Sequence, residues 1–292
     1  MENRIIPASE LIINGDGSIF HLHILPEDLA DVVFLFGDQG RVEMASQYLD
    51  TIELHKSSRE FNTMTGTYHG KRVTLLSTGI GTDNIDIVMT ELDALANIDF
   101  ATRTRKAEHR SLKILRVGTC GAIQKDLNLG DYIFSEMSVG FDGLLNWYAG
   151  VNDITEFDYE VAFMEHMDWP DRLPTPYFVR ASNEISSLFD GIAVKGITMS
   201  APGFYGPQGR YVSLEPLFPN LTKDLESFSY NGMRITNIEM ESSALAGLAA
   251  LLGHKAGTVC LAIANRYAKE SNPDYKKLMS ELLKTVLDRM TL

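Results

Sequence analysis

Three arginines, Arg41, Arg59 and Arg116, supply what an oxyanion needs, because a guanidinium offers a planar fork of charged donors to phosphate-like oxygens. For Arg116, inside an apolar strand, a plain surface salt bridge is the weaker reading. Further along, Gly203-Phe204-Tyr205-Gly206-Pro207-Gln208-Gly209-Arg210 brings together an aromatic face, a side-chain amide and a guanidinium. The segment Asn237-Ile238-Glu239-Met240-Glu241-Ser242 adds two carboxylates around a methionine. A stacked heterocycle, a hydroxylated sugar and a phosphate would use these three chemistries side by side. Each segment also has a bland reading: turn punctuation for the glycines and proline, helix-dipole partners for the carboxylates.

These residues must be positioned by alternating strands and helices. Asp31 to Phe36 is a short apolar strand ending at Gly37-Asp38-Gln39-Gly40, after which Arg41 to Leu49 reads as a helix. Lys71 to Thr78 is a second strand running into Gly79-Ile80-Gly81-Thr82, and Asp83 to Asn97 follows with apolar residues at helical spacing. Ser111 to Val117 is a third strand, expected to end in Gly118-Thr119-Cys120-Gly121. Ligands of open α/β sheets gather at the carboxyl ends of strands, where glycine turns let them approach the backbone. Arg41 and Arg116 could there meet one anion, together with the Gly37 amide and the Thr119 hydroxyl. Later strands are expected over Tyr132 to Val139, Ile192 to Ser200 and Ala256 to Ala264, with helices over Glu241 to Leu252 and Tyr275 to Met290. The basic stretch from Asn97 to Arg110 reads as a solvated helix end and loop.

With 292 residues, 45% apolar and 22% charged, the chain suits a globular protein with a large core, and no repeat or low-complexity linker divides it. One α/β domain over 1–292 is expected. A net charge of −13 excludes a surface built for nucleic acid or anionic membrane, so any phosphate must be met locally in a small pocket. Only Cys120 and Cys260 are present, in apolar surroundings and without metal-ligand spacing, and no apolar leader or long uncharged run is visible. Buried packing thiols in a cytoplasmic protein are expected.

Seven segments in order resemble the nucleoside phosphorylase superfamily, most closely its uridine-cleaving members. They are Ile19-Phe20-His21-Leu22, Gly37-Asp38-Gln39-Gly40-Arg41-Val42, Ser58-Arg59-Glu60-Phe61, Ser77-Thr78-Gly79-Ile80-Gly81, Arg116-Val117-Gly118-Thr119-Cys120-Gly121-Ala122-Ile123, Phe204-Tyr205-Gly206-Pro207-Gln208-Gly209-Arg210 and Ile238-Glu239-Met240-Glu241-Ser242. The resemblance implies a three-layer α/β/α fold with a central mixed, partly barrel-like sheet. It also implies phosphorolysis of uridine to uracil and ribose 1-phosphate, without a cofactor, phosphate being a co-substrate.

By the same resemblance, phosphate falls to Gly37, Arg41, Arg59, Arg116 and Thr119. The base falls to Phe204, Gln208 and Arg210, with Arg266 as a buttress; Gln can both donate and accept along a uracil edge, whereas Arg only donates. The sugar falls to Glu241 at the 2'-hydroxyl, Met240 packed on the ring, Glu239, and His21 at the 5'-hydroxyl. Arg116, Gln208, Arg210 and Glu241 are the residues expected to carry catalysis. His21 and Arg59 are implied to act across a two-fold interface, so a homo-oligomer with shared sites is expected. Purine-cleaving relatives carry an Asp where this chain reads Ala264-Asn265-Arg266, which favours a pyrimidine. A potassium ion near Glu60, the Ile80 carbonyl and Asn84 is allowed by the oxygen ligands there. The resemblance is weakest from Gly140 to Asp190, where Leu144-Leu145-Asn146-Trp147-Tyr148 could form a lid or a subunit contact.

Overall fold

A computed structural model describes residues 4–292. In chain order the elements are β1 (Val32–Phe36), α1 (Gln39–Ser46), β2 (Thr51–Ser58), β3 (Phe61–Tyr68), β4 (Lys71–Ser77), α2 (Thr82–Asn97), β5 (Lys113–Ala122), β6 (Tyr132–Gly140) and α3 (Phe157–Met167). They continue with β7 (Tyr177–Arg180), α4 (Asn183–Ser187), β8 (Val194–Ser200), α5 (Leu221–Ser227), β9 (Met233–Glu239), α6 (Ser242–Leu252), β10 (Lys255–Asn265) and α7 (Lys276–Thr291).

Five strands close into a mixed barrel. β5 pairs with β10, β10 with β6, β6 with β8, β8 with β9, and β9 returns to β5 through Asn237 opposite Ala122 and Ile238 opposite Gly121. From β5 the sheet continues as an open wing through β1, β4, β3 and β2. β1 is apolar throughout because parallel strands with helices on both sides bury both faces. Its Val33 and Leu35 pack towards α2 and α6, whereas Phe34 and Phe36 pack towards α1 and α7. The expected three-layer arrangement with a barrel-like centre is therefore present.

Helix α6 can lie close against its neighbours because it is built from small residues. A Cβ on Gly247 would fall on the Leu145 side chain. That anchors the Leu144–Trp147 turn, which leaves Trp147 87% exposed while the Tyr148 hydroxyl bonds Asp86 of α2. Among the described residues no helix is long and apolar enough to cross a membrane.

Two local expectations are corrected. β5 does not stop at its glycines but runs on to Ala122, because those residues complete the ladder to β9 and β10 and so close the barrel. The basic stretch after Asn97 is a fastening and not a plain solvated loop: Arg103 Nε donates to the Ile6 carbonyl at 2.7 Å, and Lys106 Nζ caps the Ala96 carbonyl at 2.9 Å.

Candidate active site

The two glycine turns after β1 and β4 and the glycine-rich end of β5 open on one cleft of about 450 Å³. At its first end, Asp38 caps α1 by accepting the Arg41 amide at 3.0 Å and pairs with Arg41 Nε at 2.7 Å. Arg41 Nη1 donates to the Val117 carbonyl at 3.2 Å, which leaves Nη2 turned towards Gly37. A methyl group on Gly37 would lie 3.9 Å from Arg41 Nη2 and 4.0 Å from Arg116 Nη2, so two guanidinium ends converge on the start of a helix. That is an anion-binding geometry, with Thr119 lining the same wall.

Arg116 is buried and held by two buried carboxylates. Nη1 donates to Glu239 Oε2 at 3.1 Å and Nη2 to Glu241 Oε2. Burial works against the charge, yet the Glu241 and Glu239 carboxylates hold the Arg116 guanidinium well above its ordinary range. The strand tolerates this folded-back side chain because Gly118 has no Cβ where Arg116 Nη1 lies. Glu241 is the N-cap of α6, and its Oε1 accepts the Gly81 amide at 2.7 Å. Burial pushes its carboxyl up, against the pull of Arg116. Met240 lies beside it on the cleft wall.

At the other end, Gln208 is buried, and its Oε1 accepts from Arg210 Nη1, which also donates to the Phe204 carbonyl at 2.6 Å. The Arg210 guanidinium lies 3.8 Å from the Phe204 ring centroid. One face of the ring expected to stack on a base is thus covered by arginine, a cation–π contact that fixes the guanidinium in the cleft. Arg266 is not on the cleft wall but stands behind it, against Gly121. Burial, with the Arg210 guanidinium alongside, pulls its pKa down to about 10, and its Nη1 is buried without a partner. Among the described residues neither Arg210 nor Arg266 has a carboxylate partner, so this end is short of negative charge. Asn265 faces away, donating to the Leu127 carbonyl at 2.6 Å and accepting the Ala268 amide at 2.9 Å.

Ten of the thirteen residues singled out from the sequence line this cleft: Gly37, Arg41, Arg116, Thr119, Phe204, Gln208, Arg210, Glu239, Met240 and Glu241. His21 and Arg59 are not brought to it. They sit together outside, the Arg59 guanidinium 5.8 Å from the Phe20 ring and the His21 ring 4.7 Å from the same ring. Arg59 is at the tip of the β2–β3 hairpin, in the left-handed region at φ 55°, with its carbonyl accepting from Gln39. Sequence reasoning missed Glu91, a buried carboxylate on α2 that accepts the His21 and Leu22 amides and His21 Nδ1 at 2.6 Å. A lone acid on an amphipathic helix gave no signal. It missed equally that Cys120, a buried thiol like Cys260, reaches the cleft wall.

Two clusters offer ligand atoms to a cation. The Ile80 carbonyl accepts the Asn84 side-chain amide at 3.2 Å, which occupies one of its two lone pairs. Asp93, His109 and His254 place ligand atoms within 4.8 Å of one another. However, His254 Nδ1 accepts the Leu112 amide, so its proton lies on Nε2, facing Asp93 Oδ1 at 3.3 Å. Activity in KCl and NaCl of equal ionic strength tests the position near Ile80: a selective gain with potassium would place the ion there, and equal rates would remove it.

A sequence model of the phosphorylase superfamily matches residues 31–290. The uridine phosphorylase of Thermococcus kodakarensis is 31% identical over 255 residues, covering 87% of this chain and 80% of its own. That of Escherichia coli is 30% identical over 255 residues, covering 86% and 88%. The structure of a Trypanosoma brucei nucleoside phosphorylase, described as showing uridine phosphorylase activity, superposes with a TM-score of 0.83 at 28% identity over 96% of this chain and 99% of that one. The family match over residues 31–290, with a cleft that has an anion pole, a central carboxylate and a guanidinium-rich far end on a barrel-centred three-layer fold shared with the Trypanosoma brucei structure, places the chain in the phosphorylase superfamily, among the nucleoside phosphorylases.

Proposed function

We propose that this enzyme catalyses the reversible phosphorolysis of uridine, giving uracil and ribose 1-phosphate. The observation that carries the choice of a pyrimidine is Arg210 at the far end of the cleft with Arg266 standing behind it, neither of them paired with a carboxylate among the described residues. Such an environment favours a leaving group that becomes an anion, and among the described residues this end of the cleft holds no acid to protonate a purine. Phosphate held by Arg41, Arg116, Thr119 and the Gly37 turn attacks C1'. The C1'–N1 bond breaks, and its electron pair leaves on uracil, where Gln208 and Arg210 meet the developing charge. Glu241 accepts from the sugar hydroxyls, a contact that can tighten as the ring flattens towards an oxocarbenium ion. No step needs a covalent intermediate, because positioning and preorganised charge lower the barrier.

The reading includes a homo-oligomer in which His21 and Arg59 serve a neighbouring subunit's cleft. Their clustering on the outer face, away from their own cleft, supports it. One domain over 1–292 is consistent with a family match from 31 to 290, and two unpaired cysteines suit a cytoplasmic setting.

Uridine, thymidine, cytidine and inosine, each with and without phosphate, test the reading. Uridine is expected to be cleaved only with phosphate, and to yield ribose 1-phosphate. Free ribose at the same rate in phosphate-free buffer would replace phosphorolysis by hydrolysis, and faster inosine cleavage would overturn the pyrimidine assignment.

A further inference from the structure

The two carboxylates flanking Met240 are not equivalent. Glu239, the last residue of β9, has both oxygens filled. Oε1 accepts from Ser200 Oγ at 2.6 Å, Ser242 Oγ at 2.7 Å and the Ser242 amide at 3.0 Å. Oε2 accepts from the Glu241 amide at 3.0 Å, the Ser242 amide at 3.0 Å and Arg116 Nη1 at 3.1 Å. A carboxylate has about four lone-pair sites, and every one is met by protein donors. Glu241 has the Gly81 amide on one oxygen and Arg116 on the other, and so keeps acceptor capacity on the cleft side.

We infer that Glu239 is a positioning residue and touches no substrate: it fixes the Arg116 guanidinium against the anion pole and locks the first turn of α6, so that Glu241 alone faces the sugar. Arg116 would otherwise be held only by Glu241, whose oxygens the sugar hydroxyls must share. With Glu239 on Nη1, Arg116 keeps a counter-charge and a direction when Glu241 turns to the ligand. Ser200 belongs to the same device, because its hydroxyl also accepts the Ser243 amide at 3.0 Å and so ties β8 to α6.

The inference rests on the phosphorolysis reading, and its test separates the two. Glu239→Gln keeps the shape but places an amide NH2 among five donors. Its KM for phosphate is expected to rise about 10- to 100-fold, the scale of a lost alignment, and phosphate should no longer raise its melting temperature. Its preference for uridine over 2'-deoxyuridine should stay at the wild-type value. Glu241→Gln, measured alongside, should lose that preference. Were Glu239 a sugar ligand, Glu239→Gln would lose it too, and that result overturns the inference, as does an unchanged phosphate KM in the folded variant. If Glu239→Gln does not fold, Ser200→Ala decides: a raised phosphate KM with unchanged sugar preference supports the inference, and no change in KM overturns it. A wild-type enzyme that cleaves uridine without phosphate would instead overturn the reading on which this rests.

Discussion

Arg116→Ala is expected to lose both activity and stability, and to regain part of the stability in acid. The substitution leaves Glu239 and Glu241 buried with no cation between them, and removing one partner of a buried pair costs about 3–5 kcal/mol. It also removes one of two guanidinium ends that converge on Gly37, and loss of a preorganised donor costs about 10²–10³ in kcat. The pH dependence has a definite sign. Burial already raises Glu241 above its ordinary value with Arg116 present, and without the arginine the rise must grow. A carboxyl whose folded pKa exceeds its unfolded one makes the folded state bind the proton more tightly, so stability is lost as pH climbs through the folded pKa. The stability gap between Arg116→Ala and wild type should therefore be widest near neutrality and shrink as pH falls towards the ordinary carboxylate range. Urea titrations at several pH values measure it. A gap independent of pH would show that the two carboxylates do not depend on Arg116, and near-normal turnover would remove Arg116 from the anion site.

What the sequence disclosed, and what it hid, follows from which signals are local. β1 and β4 end in glycine turns that could be read directly, because apolar strands and turn chemistry are both short-range patterns. The β2–β3 hairpin was not legible: β2 is mostly exposed, and β3 buries polar Thr63 and Thr65. Burial of such a strand depends on partners far away, as where the Thr65 hydroxyl bonds that of Thr74 at 2.9 Å. The same limit explains β5, whose glycines look like a turn until β9 closes the barrel against them. In the site, residue types could nominate Glu239 and Glu241 together. Only the fold distinguishes them, because the donors that fill Glu239 come from β5, from Ser200 at the end of β8 and from the first turn of α6. Asn265 carried a correct-looking contrast with an acid, but its amide is committed to the loop ending at Leu127.

Mixing two inactive variants should restore activity if the cleft is completed by a second subunit. His21 and Arg59 lie on an outer face of their own chain, Arg59 at the hairpin tip and His21 held by Glu91. A closed two-fold dimer exchanges the same surface reciprocally, so a residue that reaches the neighbour's cleft implies an equivalent residue reaching back. Arg59→Ala alone should therefore impair both clefts by removing the arginine that each receives. Arg210→Ala impairs both from within, and is expected to cost at least about 2 kcal/mol of transition-state stabilisation because a developing anion loses a placed donor. In a mixed dimer the Arg59→Ala chain keeps its own Arg210 and receives Arg59 of the partner subunit, so its cleft is complete. The Arg210→Ala chain has neither. Each mixed dimer should then work at about half the wild-type rate, as two-fold symmetry requires. Subunit exchange can be followed by mass on differently labelled chains while uridine cleavage is assayed in the same samples. Proven exchange without recovery, or a fully active monomer, would place Arg59 outside the site and leave the cleft to a single chain.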